Sequence, residues 1–235
     1  MGPDLLILFR HAESKEQLAK RGQSFLPDME GKKLLTGLTD SAVPLTPRGA
    51  RHARDTGVVL LRRYGPLDVI YHSDYVRTSQ TAYALLQAYP VHLRDRVRLV
   101  PEKLLRERSK GHLFDKTFEE IGREFPKFWE MHSQLMEFRI KFPGGDSLEK
   151  KVDDAKEFCR NEFPRLTGRR AGLVGHWGTL LAIRYYLEGW DEQKILQVMG
   201  SKENPSNCGI TVYRKTGKER FELVECNVQL VTASP

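Results

Sequence analysis

Three short runs of apolar residues recur between longer helical patterns, and they constrain this chain more than any other feature. DLLILF (4–9), LDVIYH (67–72) and AGLVG (171–175) carry almost no charge and do not alternate with polar residues. A strand with one face in water alternates; an unbroken apolar run of this length suits a strand buried on both faces of a parallel sheet. Between the runs lie helix signals. Thr46 precedes Pro47 as an N-cap before a helix to Gly65, with Ala50, Ala53, Gly57 and Leu61 on one face. Ser73 or Asp74 is the expected cap of a helix through Thr81 to Ala88, and a third strand is expected at 96–100. Thr117-Phe118-Glu119-Glu120 and Asp146-Ser147-Leu148-Glu149 read as capping boxes, the first opening a helical stretch to Phe138 and the second a helix to about Leu166. Thr179 to Leu187 follows as helix, and ITVY (210–213) with FELVE (221–225) around Lys215-Thr216-Gly217-Lys218 reads as a closing hairpin. Strands alternating with helices give an α/β sandwich with a mostly parallel sheet. The expectation is one domain over 1–235, with a helical insertion at about 101–146 and a long loop at about 22–45.

Composition narrows the class. The chain has 235 residues, 40% hydrophobic, enough for a full core without metal or disulfide support. No apolar run approaches the roughly 20 residues of a membrane span. The start, MGPDLLILFRHAES, has neither a basic leader nor a cleavage site, and Leu6 stands where a myristoylation signal wants Ser or Thr. A cytoplasmic protein is expected. Cys159, Cys208 and Cys226 form no CxxC pair and read as reduced thiols, with Cys159 on an apolar stripe beside Val152, Ala155 and Phe163. No metal site or cofactor is indicated. The net charge of +7 is dispersed and accompanies no nucleic-acid motif, so it fits attraction of a small anionic substrate better than nucleic acid or membrane binding. No coiled-coil heptads argue for an oligomer.

Ligands of such sheets sit beyond the carboxyl ends of the strands. Arg10 and His11 follow the first strand, and Arg77 comes one turn after the second. Glu107 lies past the third, and His176 directly follows the run at 171–175. Singly, each has an ordinary reading: a satisfied structural histidine, a surface cation, a solvated carboxylate in LLRERSK. His176 between Gly175 and Gly178 is less ordinary, because glycines suit close backbone approach. Together the five fit phosphate chemistry. Arg10 and Arg77 would fork onto phosphate oxygens. His11 as a neutral imidazole would attack phosphorus, His176 would donate to an equatorial oxygen, and Glu107 would protonate the leaving alkoxide. His52, His72, His92, His112 and His132 lack convergent partners.

These residues resemble the histidine phosphatase superfamily, the phosphoglycerate mutase-like proteins. FRHAES is similar to its Arg-His-Gly signature, Leu45-Thr46-Pro47-Arg48-Gly49 to its helix start, and SDYVRTSQTA (73–82) to its second arginine motif. LLRER (104–108) matches its acid position, FPGGDS (142–147) its Pro-Gly-Gly element and VGHWGTL (174–180) its second histidine. The resemblance runs in order from about residue 4 to 213. It implies a three-layer α/β/α sandwich, with His11 as phosphorylated nucleophile, Arg10, Arg77 and His176 as the phosphate pocket, and Glu107 as proton donor. Ser14, Gln17, Trp177 and Gly178 would line the substrate side. Ala12 stands where glycine is commoner, Gln17 where asparagine is frequent, and Trp177 where small residues are usual. The insertion lacks the adjacent arginine pair of the bisphosphoglycerate-dependent mutases, which makes the resemblance closer to the phosphatase branches. The expectation is a metal-independent phosphatase acting on a small phosphorylated substrate, or on a phosphoprotein. Mutase-type transfer and a non-catalytic phosphate-binding module are the alternatives. The segment 22–45, with Phe25, Lys32-Lys33, Leu34 and Leu35, is expected either to close over the site or to pack as a surface loop.

Overall fold

The computed structural model describes residues 2–134, 138–217 and 220–232. The strands are β1 (Leu5–Arg10), β2 (Val69–His72), β3 (Arg98–Pro101), β4 (Arg170–Gly175), β5 (Gly209–Thr216) and β6 (Arg220–Gln229). They form one sheet in the order β3-β2-β4-β1-β5-β6. The first four are mutually parallel, while β5 runs antiparallel to β1 and β6 to β5. This is a mixed, mostly parallel sheet flanked by helices, as the apolar runs imply.

Side-chain alternation on β1 sorts the core into two layers. Leu6 and Leu8 face one side, with Val69, Tyr71 and Leu173, and meet α8 (Leu148–Glu162), α9 (Trp177–Glu188) and α10 (Glu192–Met199). Leu5, Ile7 and Phe9 face the other, with Ile70 and Val174, against α3 (Pro47–Tyr64) and α4 (Val76–Gln87). Cys159 is buried on α8 beside Val152 and Ala155, and its burial raises the thiol pKa.

The register sets the functional edge. Arg10 pairs with Gly175, and His72 with Val174. The residues that leave β1, β2 and β4 therefore emerge together.

Several local expectations change. The helix after β2 is not capped by Ser73 or Asp74: its N-cap is Tyr75, without a side-chain cap bond, and Ser73 Oγ instead accepts from the Tyr75 N–H at 3.3 Å. Asp146-Ser147-Leu148-Glu149 is no capping box. Ser147 caps α8 alone through the Lys150 N–H, because Lys150 at the third helical position offers no acceptor. That helix stops at Glu162 and continues as a 3-10 turn, Phe163–Leu166. The box at Thr117 and Glu120 is present. It opens α6 (Phe118–Glu124), and α7 (Pro126–Gln134) follows; Pro126 separates them, residues 135–137 lie outside the described set, and Phe138 stands in a turn. The expected turn at 215–218 is described only to Gly217.

The segment 22–45 is not an irregular loop. It follows α1 (Lys15–Lys20) and contains α2 (Met29–Leu35), capped by Asp28, and a 3-10 turn, Asp40–Ala42. The signals were local and weak: Asp28 three residues before Gly31, and one turn of mixed polarity. Phe25 packs with Leu113, Ile121, Phe128 and Phe142, while Leu35 packs with Leu26, Val43 and Phe114. Lys32 pairs with Glu120 at 2.6 Å. The segment is thus bound to the insertion by a core of its own. Phe25→Ala is expected to destabilise the chain by about 3–5 kcal/mol in urea unfolding; a loss under about 1 kcal/mol would mean that this satellite core contributes little.

Candidate active site

At the carboxyl edge, the His11 N–H donates to the Gly175 carbonyl at 2.9 Å, extending the β1–β4 ladder by one residue. The imidazoles of His11 and His176 then meet edge-to-face with centroids 5.1 Å apart, and Tyr75 lies 5.1 Å from His176 on its other side. His11 and His176 are buried, at 2% and 0% exposure. His11 Nδ1 lies 2.8 Å from the Ala12 carbonyl, which can only accept, so Nδ1 carries the proton and Nε2 keeps the lone pair. Both ring nitrogens of His176 lack a hydrogen-bond partner among the described residues. Ala12 fits without a positive φ; its N–H donates to Thr81 Oγ1 at 3.1 Å and its methyl joins the core.

Two arginines flank the rings. Arg10 Nη1 donates to the Pro205 carbonyl at 2.7 Å and its Nε is unpartnered. Arg77 is 1% exposed, with an unpartnered Nε. Its Nη1 donates to the Asp40 carbonyl at 2.5 Å, and its Nη2 lies 2.9 Å from Asp40 Oδ1 and 3.8 Å from Glu16 Oε2. Glu107 reaches the N-terminus of α9: its Oε1 accepts from the Gly178 N–H at 3.0 Å and the Arg108 N–H at 2.8 Å. Here lies the reason for glycine at 178. A Cβ there would stand 2.6 Å from Glu107 Oε1, so the close approach is made by the carboxylate.

The expected substrate-side residues fall into two groups. Ser14 and Gln17 are occupied with each other in the capping box of α1: Gln17 Oε1 accepts from the Ser14 N–H at 3.0 Å and from its Oγ at 2.6 Å. Trp177 is half-buried beside His176 and donates from Nε1 to Asn204 Oδ1 at 2.5 Å.

Other contributors carried little readable sequence signal. Asn207 Nδ2 donates to the His11 carbonyl at 2.7 Å and the Cys208 N–H to the Arg10 carbonyl at 3.1 Å, so the loop before β5 braces the site. Glu16 is buried; Lys110 lies 3.0 Å from it and Lys20 also pairs with it. Burial alone would raise the Glu16 carboxyl, but Lys110, Lys20 and Arg77 hold it well below its ordinary range. The spacing of Glu16 and Lys20 on α1 suggests a pair, but nothing in the sequence announces Lys110. Among the described residues, no group of three or more His, Cys, Asp or Glu is arranged to hold a metal, and no helix is long and apolar enough to cross a membrane.

The family model of the histidine phosphatase superfamily (branch 1) matches residues 6–229. The chain belongs to that superfamily. A curated relative, the 2,3-bisphosphoglycerate-dependent phosphoglycerate mutase of Azorhizobium caulinodans, is 26% identical over 195 residues, 82% of this chain and 85% of its own. Among solved structures, the alpha-ribazole phosphatase from Shigella flexneri superposes with a TM-score of 0.73 at 15% identity, covering 98% of this chain and 100% of its own. A mycobacterial glucosyl-3-phosphoglycerate phosphatase complexed with inorganic phosphate gives 0.69 at 19% identity, covering 97% and 100%. At these identities the structural likeness bears on the fold. Membership and neighbours support activity as a phosphatase or phosphotransferase.

The electrostatics of this histidine phosphatase family member lead to a stability test. His11 has a pKa well below the ordinary 6.5, through burial first and then Arg77 and Arg10. His176 is lowered likewise, by burial, Arg77 and His11. The unfolded chain takes up protons near 6.5 and the folded chain does not. The contribution of the neutral rings is therefore full above that pH and erodes as pH falls below it, by up to about 1.4 kcal/mol per pH unit for each ring. Urea unfolding of His176→Gln is expected to decline less between pH 6.5 and 5 than that of the wild type; equal slopes would contradict it.

Proposed function

We propose that this chain is a metal-independent phosphatase that hydrolyses a small phosphomonoester through a phosphohistidine at His11. The observation that carries the reading is the His11 imidazole: tautomer fixed by the Ala12 carbonyl, proton affinity lowered by burial and two arginines, and Nε2 available as a nucleophile. In the first half-reaction Nε2 bonds to phosphorus while the bond to the ester oxygen breaks, and Glu107 gives that oxygen its proton. In the second, water attacks phosphorus, Glu107 takes the water's proton and the N–P bond breaks. Arg10, Arg77 and a His176 N–H hold the equatorial oxygens, supplying fixed positive charge where the transition state gathers negative charge. Trp177 and the Gly178 main chain bound the leaving-group side, and Ser14 and Gln17 act through α1, by fixing Glu16 beside Arg77. The near-complete burial of His11 and Arg77 favours a small substrate over a phosphoprotein.

Transfer between positions of a phosphoglycerate is the second reading, favoured by the names of the curated relatives. It needs further cations facing the substrate. In the insertion, Lys116 and Arg123 pair with Glu124 and Arg139 with Glu192, and Lys110, the insertion lysine at the pocket, pairs with Glu16; this favours hydrolysis.

The wild type is expected to release inorganic phosphate from 4-nitrophenyl phosphate in excess EDTA, and His11→Ala to lose that turnover by about 10³-fold or more. Turnover that needs added metal, or that survives in the variant, would overturn the reading. Glu107→Gln should slow alkyl phosphates by about 10²-fold or more while affecting 4-nitrophenyl phosphate far less, since nitrophenolate leaves without a proton. Equal losses would remove Glu107 from the acid role.

A further inference from the structure

Asp40 is a charged group at the pocket to which this mechanism gives no task. It sits on the 3-10 turn Asp40–Ala42, and both its carbonyl and its carboxylate engage Arg77. The carboxylate contact is an ion pair at 2.9 Å. Arg77 Nε, on the same guanidinium, is unpartnered, and the His176 ring beside it offers two unpartnered nitrogens. The pocket thus holds donors without hydrogen-bond partners among the described residues, beside the carboxylates of Asp40 and Glu16. Burial of a carboxylate is costly unless a cation meets it. Here burial and the nearby Glu16 raise the Asp40 carboxyl above its ordinary range, while Arg77 holds it down.

We propose that Asp40 is an affinity-setting residue of the phosphate pocket, its carboxylate standing on Arg77 Nη2 as a fixed anion that opposes an incoming phosphate. The inference rests on the reading that Arg77 binds phosphate. Arg77 Nε lies outside the Asp40 contact, so a phosphate dianion can reach the guanidinium with Asp40 in place and then meets like-charge repulsion from the nearby carboxylate. Every phosphate species therefore binds Arg77 against the Asp40 charge. That penalty falls equally on substrate and on inorganic phosphate, so it is uniform in the sense that it changes KM and product affinity together.

The test is calorimetric titration of inorganic phosphate into the wild type, Asp40→Asn, Asp40→Ser and Arg77→Ala, each checked for folding by thermal melting. Both Asp40 variants are expected to bind phosphate about tenfold more tightly or better, with KM for 4-nitrophenyl phosphate falling in parallel. Unchanged or weaker phosphate binding in both variants, with Arg77→Ala weakened, would overturn the role of Asp40 alone and leave the pocket intact. Phosphate binding that Arg77→Ala does not weaken would instead overturn the pocket on which the inference stands.

Discussion

The hydrogen bond from the His11 main chain to the Gly175 carbonyl carries the β1–β4 ladder past the strand ends, and the site depends on it. Two sheet neighbours in parallel register deliver two imidazoles from adjacent chain exits, so their 5.1 Å spacing is a property of the sheet rather than of a flexible loop. The ladder is rigid because β1 is apolar on both faces and packs into both halves of the core. Everything else at the pocket is arranged around that fixed pair. Arg10 ends the same strand, Arg77 rises from the first turn of α4, and Glu107 docks on the first turn of α9. Residues far apart in sequence converge because the strands end at one level, the general property of open α/β sheets that places ligands beyond their carboxyl ends.

The pocket concentrates buried positive charge, which works against stability. Arg10, Arg77, Lys20 and Lys110 face one another with Glu16 and Asp40 interleaved. Partial neutralisation is what lets such a cluster be buried at all, because unpaired ions in low dielectric cost several kcal/mol each. The neutral histidines follow first from burial and then from the same field, in which Arg77 and Arg10 make a further proton on His11 unfavourable. A neutral His11 is also what nucleophilic attack requires. The arrangement that strains the folded state would therefore prepare the proposed attack by His11, a trade common to preorganised sites.

The sequence was most legible where one residue type can do only one thing. Unbroken apolar runs read as buried strands, and β1 and β4 lie within a residue of expectation. Thr46 before Pro47 and Thr117 before Glu120 cap helices as read. The five residues at the strand ends were likewise visible, since position along an apolar run implies position in space. Legibility failed where tertiary contacts decide. The helix Met29–Leu35 is held by Leu35 and Phe25 against the insertion, partners that no local pattern identifies. Gln17, read as a substrate-side residue, uses its Oε1 to satisfy the Ser14 N–H, a local bond the sequence reading did not anticipate. Glu16, Lys110 and Asp40 look like surface charges until the fold buries them together.

The central claim is that His11 becomes covalently phosphorylated. Its most direct test is rapid mixing of the enzyme with 4-nitrophenyl phosphate, an alkaline quench that preserves phosphohistidine, and peptide mass spectrometry to locate the phosphoryl group. The account predicts a phosphoryl group on His11, formed within the first turnover and removed as substrate is exhausted. Turnover without any phosphorylated histidine, or with the group on His176 instead, would contradict it.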